Sequence, residues 1–196
     1  MLVIGNGESR KEIDINKCGK IKVGCNAIFR DFYVNHLICC DRRMVEEAQK
    51  ERNYGAIYTR PDWKDQFKLC GLVPELPYKG NTRLDEPWHW GSGPYAVLLA
   101  AIIASRVPSN PDIHMIGFDL DSESNTVNNI YKGTKNYLSE TSKGFNTDNW
   151  TTQLIQIFKD FPETKFYWVV NEDASPLVCN NVKSITYKDL DKLCQV

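Results

Sequence analysis

Apolar and polar positions alternate in blocks along this chain, and the blocks switch repeatedly between strand-like and helix-like spacing. Leu2-Val3-Ile4 is a short apolar run that stops at glycine, and Gly5-Asn6-Gly7-Glu8-Ser9 leads from it into a polar segment, Arg10 to Lys17. The pattern predicts a strand, a tight loop and a short helix. Ile21 to Asn26 predicts a second strand with a polar end, and Val34 to Cys40 a third that runs into Asp41-Arg42-Arg43. Met44 to Arg52 predicts a helix, with Glu46 and Lys50 spaced i,i+4. Ala56-Ile57-Tyr58 predicts a fourth strand. From Thr59 to Trp90 the periodicity dissolves into Pro, Gly and aromatic residues, a long excursion of the kind that carries function more often than not.

The pattern then sharpens. Trp90-Gly91-Ser92-Gly93-Pro94 precedes a strongly apolar helix, Tyr95 to Ser105; Pro94 suits its first turn, and Ser92 or Gly93 can cap it. Asp112 to Phe118 predicts a buried strand. Residues 120–145 are polar and rich in Asn and Ser, and predict a mobile flap. Thr147-Asp148-Asn149-Trp150 caps a helix to about Asp160, and Lys165 to Val170 is a further strong strand. Beyond Ser175 the expectation is a turn of helix, a strand at Ser184 to Tyr187 and a final helix. Strands alternating with helices predict an α/β fold: one domain over residues 1–196, with a Rossmann-like, mostly parallel sheet and helices on both faces.

Composition narrows the function. Of the 196 residues, 42% are hydrophobic and 25% charged, which fits a globular domain and excludes a disordered or fibrous chain. The 24 basic and 25 acidic residues leave a net charge of -1, so a dedicated nucleic-acid binder is not expected. No apolar run approaches the length of a membrane span. Seven cysteines form no Cys-x-x-Cys pair, which argues against a zinc knuckle or a thioredoxin motif. Cys25, Cys39 and Cys40 fall in strand-like runs and are expected to be buried free thiols. With no basic leader before the apolar start, they point to a cytoplasmic protein.

In a doubly wound sheet, ligands bind outside the carboxyl ends of the strands, where strand order reverses. Four expected strand ends carry polar residues: Gly5-Asn6-Gly7, Cys25-Asn26, Cys40-Asp41 and Gly117-Phe118-Asp119. Gly91-Ser92-Gly93 is a fifth polar element, opening a helix. The Gly5-Asn6-Gly7-Glu8-Ser9 loop lets backbone approach a ligand, and a helix dipole is expected behind it. It is neither a dinucleotide fingerprint, since Arg10 fills the third glycine position, nor a P-loop. Alone it is equally a plain strand-to-helix turn. Asn26, able to donate and accept, suits a base or ribose edge. Asp41 and Asp119 can hold a hydroxyl or act as a base, and Asp119-Leu120-Asp121 also has the Asp-x-Asp form of some metal-using transferases. His36 and His114 sit inside apolar strands and are expected to be satisfied core residues. His89, between Trp88 and Trp90, is the histidine placed for proton transfer.

Taken in order, these elements resemble the bacterial sialyltransferases of glycosyltransferase family 42. Gly5 to Asp14 resembles that family's Gly-Asn-Gly-Pro-Ser-Leu-Lys-Glu-Ile-Asp opening, and Cys25-Asn26 its Arg-Cys-Asn, whose Asn contacts the nucleotide. Gly91-Ser92-Gly93 followed by Tyr95 resembles its Thr-Ser-Gly-x-Tyr helix. Ile113 to Asp119 resembles its strand ending in Gly-Ile-Asp, and Asn146-Thr147-Asp148 has a counterpart there too. The departures are Glu8 for Pro, Asp41 where the family has Asn, and no histidine in Glu140 to Gly144, where its general base would lie. Uncharacterised proteins of marine bacteriophages are similar as well.

The resemblance implies a GT-A-like sialyltransferase fold and glycosyl transfer from a nucleotide donor, a CMP-sugar, to a glycan or small-molecule hydroxyl, with no metal or cofactor. The nucleotide would be held by Gly5, Asn6, Gly7, Ser9, Cys25, Asn26, Ser92, Gly93 and Asp119. Tyr131 or Tyr137 would stand in for the family's flap tyrosines. His89 and Asp41 remain as bases. Two alternatives share the same motifs: a nucleotide-binding protein without catalysis, and a diphosphotransferase like the pterin diphosphokinases, which open on a similar Gly-x-Gly-x-Ser.

Overall fold

Eight parallel strands form one sheet in the computed structural model, which describes residues 1–76, 90–120, 126–144, 146–171, 177 and 179–194. In chain order the strands are β1 (Leu2–Ile4), β2 (Lys22–Cys25), β3 (Val34–Ile38), β4 (Tyr54–Thr59), β5 (Gly71–Leu72), β6 (Ile113–Ile116), β7 (Phe166–Val170) and β8 (Val182–Thr186). Their spatial order is β5-β4-β3-β2-β1-β6-β7-β8. The chain winds outward from β1 to β5 and then returns to place β6 on the other side of β1. Strand order therefore reverses between β1 and β6, where Leu2 pairs with His114 and Ile4 with Ile116. This is the doubly wound, Rossmann-like α/β domain expected from the alternating pattern.

Side-chain alternation along the strands builds two cores. Val3 belongs to one, and its neighbours Leu2 and Ile4 to the other. The same split runs through β6, where Ile113 and Met115 face the first layer and Ile116 the second. The first layer is dominated by α3 (Ser92–Ser105), with α4 (Asp148–Asp160) beside it. Tyr95 to Ala101 are all buried, because α3 is apolar on every side and is enclosed by the sheet and α4. The second layer holds α1 (Arg42–Glu51) and α5 (Tyr187–Cys194), together with the turns after β1 and β2. No helix among the described residues is long and apolar enough to cross a membrane.

Several local expectations change. The short helix expected over Arg10 to Lys17 is two 3-10 turns, Glu8–Glu12 and Ile15–Lys17; Asp14 caps the second by accepting from the Asn16 amide at 3.1 Å. The segment is too short and too lacking in an apolar stripe to propagate an α-helix. The excursion after Thr59 contains a one-turn helix, α2 (Pro61–Lys64), and the short edge strand β5. Residues 77–89 lie outside the described residues. The portion 126–144 of the expected flap is a series of turns, with Val127 and Tyr131 buried. Cys25, Cys39 and Cys40 are free thiols, the first two buried, whereas Cys18 and Cys194 form a disulfide that ties α5 to the turn before β2.

Candidate functional site

A cavity of about 590 Å³ opens at the carboxyl ends of the strands, against the point where strand order reverses. It falls within the usual size range of small-molecule sites. Gly5, Asn6 and Gly7 reach it from β1, Cys25 and Asn26 from β2, and Gly117, Phe118 and Asp119 from β6. Ser92 and Gly93 reach it from the first turn of α3. Of the expected nucleotide residues, eight thus share one wall-to-wall space although they are scattered over more than a hundred positions in the sequence.

Asn6 and Asn26 contribute polar wall. Asn6 is 9% exposed, and its Nδ2 donates to the Cys25 carbonyl at 3.3 Å and to the Tyr137 hydroxyl at 3.4 Å. Turning the amide over would set Oδ1 against that carbonyl, so the bond fixes the orientation. The Oδ1 of Asn6 is buried and accepts nothing, and the same holds for the Oδ1 of Asn26. Buried acceptors of this kind are normally satisfied, and leaving one empty is destabilising. Asn26 also has φ 51°, the left-handed region that asparagine tolerates better than most residues.

Asp119 lines the cavity but is already engaged. Its Oδ2 accepts from the Ser9 amide at 2.9 Å and its Oδ1 from the Ser9 hydroxyl, while Tyr187 of α5 donates to the Ser9 Oγ at 2.7 Å. Asp119 is therefore a cross-link between the β6 loop and the first 3-10 turn. Ser9 acts through it and does not itself line the cavity. Ser92 Oγ accepts from the Cys40 amide at 3.1 Å, which leaves its own proton to donate. Cys25 is a neutral thiol, pushed up to about 12 by burial, and so supplies shape and no nucleophile.

Four expectations are corrected. Asp41 does not reach the cavity: it caps α1, accepting from the Arg43 amide at 2.8 Å, as an aspartate just before a helix tends to do. Tyr131, itself a flap residue, is buried away from the cavity, accepting from Arg10 Nη2 at 2.7 Å and donating to Asp31 at 2.6 Å. Tyr137 is the flap tyrosine that lines the cavity, with burial raising its phenol well above its ordinary value. The loop after β1 leads into a 3-10 turn, so no α-helix dipole stands behind it. Glu8 points elsewhere, paired with Lys11 at 2.7 Å and Lys132 at 3.2 Å. His89 and Asp121 lie outside the described residues. His36 bonds the Tyr58 hydroxyl at 3.0 Å. His114 is core as expected but not satisfied: its Nδ1 has no partner, it stacks on Tyr167 at 5.0 Å, and burial pushes its pKa down to about 4.

Sequence reasoning missed Arg43, Trp150 and the flap residues Asn128, Asn129 and Asn136, all of which line the cavity. The Asn-rich composition of the flap was the available signal for three of them. Among the described residues no group of three His, Cys, Asp or Glu side chains comes together as a metal site would require. No family model matches the chain, and no curated protein or solved structure matches it significantly.

Proposed function

We propose that the cavity binds a nucleotide-activated sugar carrying one phosphate, a CMP-sugar, and that the chain transfers the sugar to an acceptor hydroxyl. The observation that carries this reading is a cavity at the strand-order reversal whose wall includes Asn6 and Asn26, each with a buried amide oxygen that no group among the described residues satisfies. A wall of asparagine amides suits a ligand edge that carries hydrogen-bond donors, as the cytosine amino group and ribose hydroxyls do. Five asparagines and one serine around the space suit a polar, hydroxyl-rich ligand, and Phe118, Leu120 and Trp150 add the apolar surface that a ring needs.

A second reading, binding without catalysis, is favoured by one specific observation. Of the groups lining the described cavity that could take a proton, Asp119 is committed to Ser9, and Cys25 and Tyr137 are held neutral by burial. None of them is a ready base for an acceptor hydroxyl.

Thermal unfolding with a nucleotide panel tests the binding. At a hundred times its dissociation constant a ligand stabilises by about 2.7 kcal/mol, which for a domain of this size raises the midpoint by roughly 5–10 °C. CMP is expected to give such a shift. Shifts with other nucleotides and none with CMP overturn the donor assignment. Release of CMP from a CMP-sugar then separates transfer or hydrolysis from binding alone.

A further inference from the structure

The cavity also defines where the charge of its ligand must go. Among the described residues that line it, Arg43 is the one cation, and the carboxylate of Asp119 is turned onto Ser9. Arg43 stands in the first turn of α1, at the rim, with its side chain 63% exposed.

Its present partnership is weak. Arg43 Nη2 donates once to Asp41 Oδ2 at 3.3 Å, in an exposed pair two residues apart whose carboxylate also caps the helix. Exposed pairs of this type add little stability. The other arginines near the site are committed. Arg30 grips Glu47 with two bonds at 2.6 and 2.8 Å and two flap acceptors besides. Arg10 is buried against Tyr131. A guanidinium with four unspent donors, facing a cavity, matches paired phosphoryl oxygens.

The independent pointer to a ligand is Asn6, which lines the same cavity, is nine-tenths buried and has an unpartnered amide oxygen. Donors are thus wanted at that wall and an anion at the rim. We infer that Arg43 is the anion anchor of this site: it leaves Asp41 and takes the phosphoryl group of the nucleotide whose base end meets Asn6 and Asn26. This rests on the nucleotide reading above.

Titration calorimetry of CMP and cytidine against the whole chain and its Arg43→Gln and Arg43→Lys variants tests it. A charged hydrogen-bond pair is worth roughly 10- to 100-fold in affinity. Wild type is expected to bind CMP at least about tenfold more tightly than cytidine, with affinity falling as salt rises. Arg43→Gln is expected to bring CMP down to the cytidine level while leaving cytidine unchanged, and Arg43→Lys to recover part of the difference. The side chain is exposed, so melting of the variants should match wild type and guards against a folding artefact. CMP bound equally well by Arg43→Gln and wild type overturns the anchor and leaves the nucleotide reading standing. Equal loss of CMP and cytidine in Arg43→Gln also overturns it, since a phosphoryl anchor does not touch cytidine. Wild type that binds neither compound overturns the nucleotide reading and the anchor with it.

Discussion

Two glycine loops border the cavity, and they do opposite work. The loop after β1, Gly5-Asn6-Gly7, is filled by protein. A Cβ on Gly5 would collide with the Gly117 carbonyl, 2.9 Å from its carbon, and one on Gly7 would fall 2.8 Å from Asp119 Oδ1 and closer still to the rest of that carboxylate. Its glycines let two strand-end loops cross, with Gly5 and Gly7 amides donating to Ile116 and Gly117 carbonyls at 2.8 Å. The glycine segment that opens α3, Gly91-Ser92-Gly93, is open at its last glycine: the nearest atom to a Cβ on Gly93 is a Phe118 ring carbon at 3.4 Å. It forms the start of a 14-residue helix, whose first turn carries the positive end of the helix dipole and lines the cavity. Both loops look anion-ready as sequence. What separates a scaffold crossing from a ligand cradle is what occupies the missing side chain's place.

That contrast can be broken at four points. Gly5→Ala should have the largest effect, a loss of about 3 kcal/mol or a failure to fold, because backbone on both sides cannot yield; urea unfolding measures it, and a loss under 1 kcal/mol would contradict the crossing. Next comes the cover of the first loop. The flap lies on it through the Ile130 amide, which donates to the Asn6 carbonyl at 2.9 Å, and is fastened by Arg30. Arg30→Ala should destabilise by about 2 kcal/mol at neutral pH, since it removes the cation facing Glu47, a largely buried carboxylate left with the Asn136 amide. The difference from wild type should be pH-dependent. The Arg30 hydrogen bond holds the Glu47 carboxyl below its ordinary value of 4.5. The pair's contribution is therefore full above that value and fades as pH falls through the lowered one. Melting curves that stay parallel for the two proteins from pH 7 down to strongly acid solution would remove Arg30 as the fastener.

Asp119→Asn should come third, at about 1–2 kcal/mol, because an amide cannot accept from the Ser9 amide and hydroxyl with both of its heteroatoms. An unchanged midpoint would show the cross-link to be idle. Gly93→Ala should have the smallest effect and the opposite sign: a gain of up to about 0.5 kcal/mol from helix propensity, with ordinary contact to Phe118. A loss there would close the space the second loop is said to leave open.

The parts of this site that could be read from sequence are those governed by local rules. Apolar runs ending in Asn6, Asn26 and Asp119 mark strand ends, and parallel topology then collects them. The all-apolar run after Pro94 marks a buried helix. The rest depends on partners distant in the chain. That Asp119 would turn onto Ser9, 110 residues away, has no local signature. Nor does the choice of Tyr137 over Tyr131, set by which phenol lies beside Asn6 and which by Arg10. Asp41 departs from the expectation for a local reason: an aspartate directly ahead of a helical pattern caps it, which leaves Arg43, two residues on, as the charged side chain of that turn that lines the site.

The Cys18–Cys194 link joins positions 176 apart and so closes most of the chain into a covalent ring. A single cut anywhere inside that ring leaves both pieces attached to one another. The polypeptide can therefore be nicked at a surface turn and still migrate as one species until a reductant opens the ring.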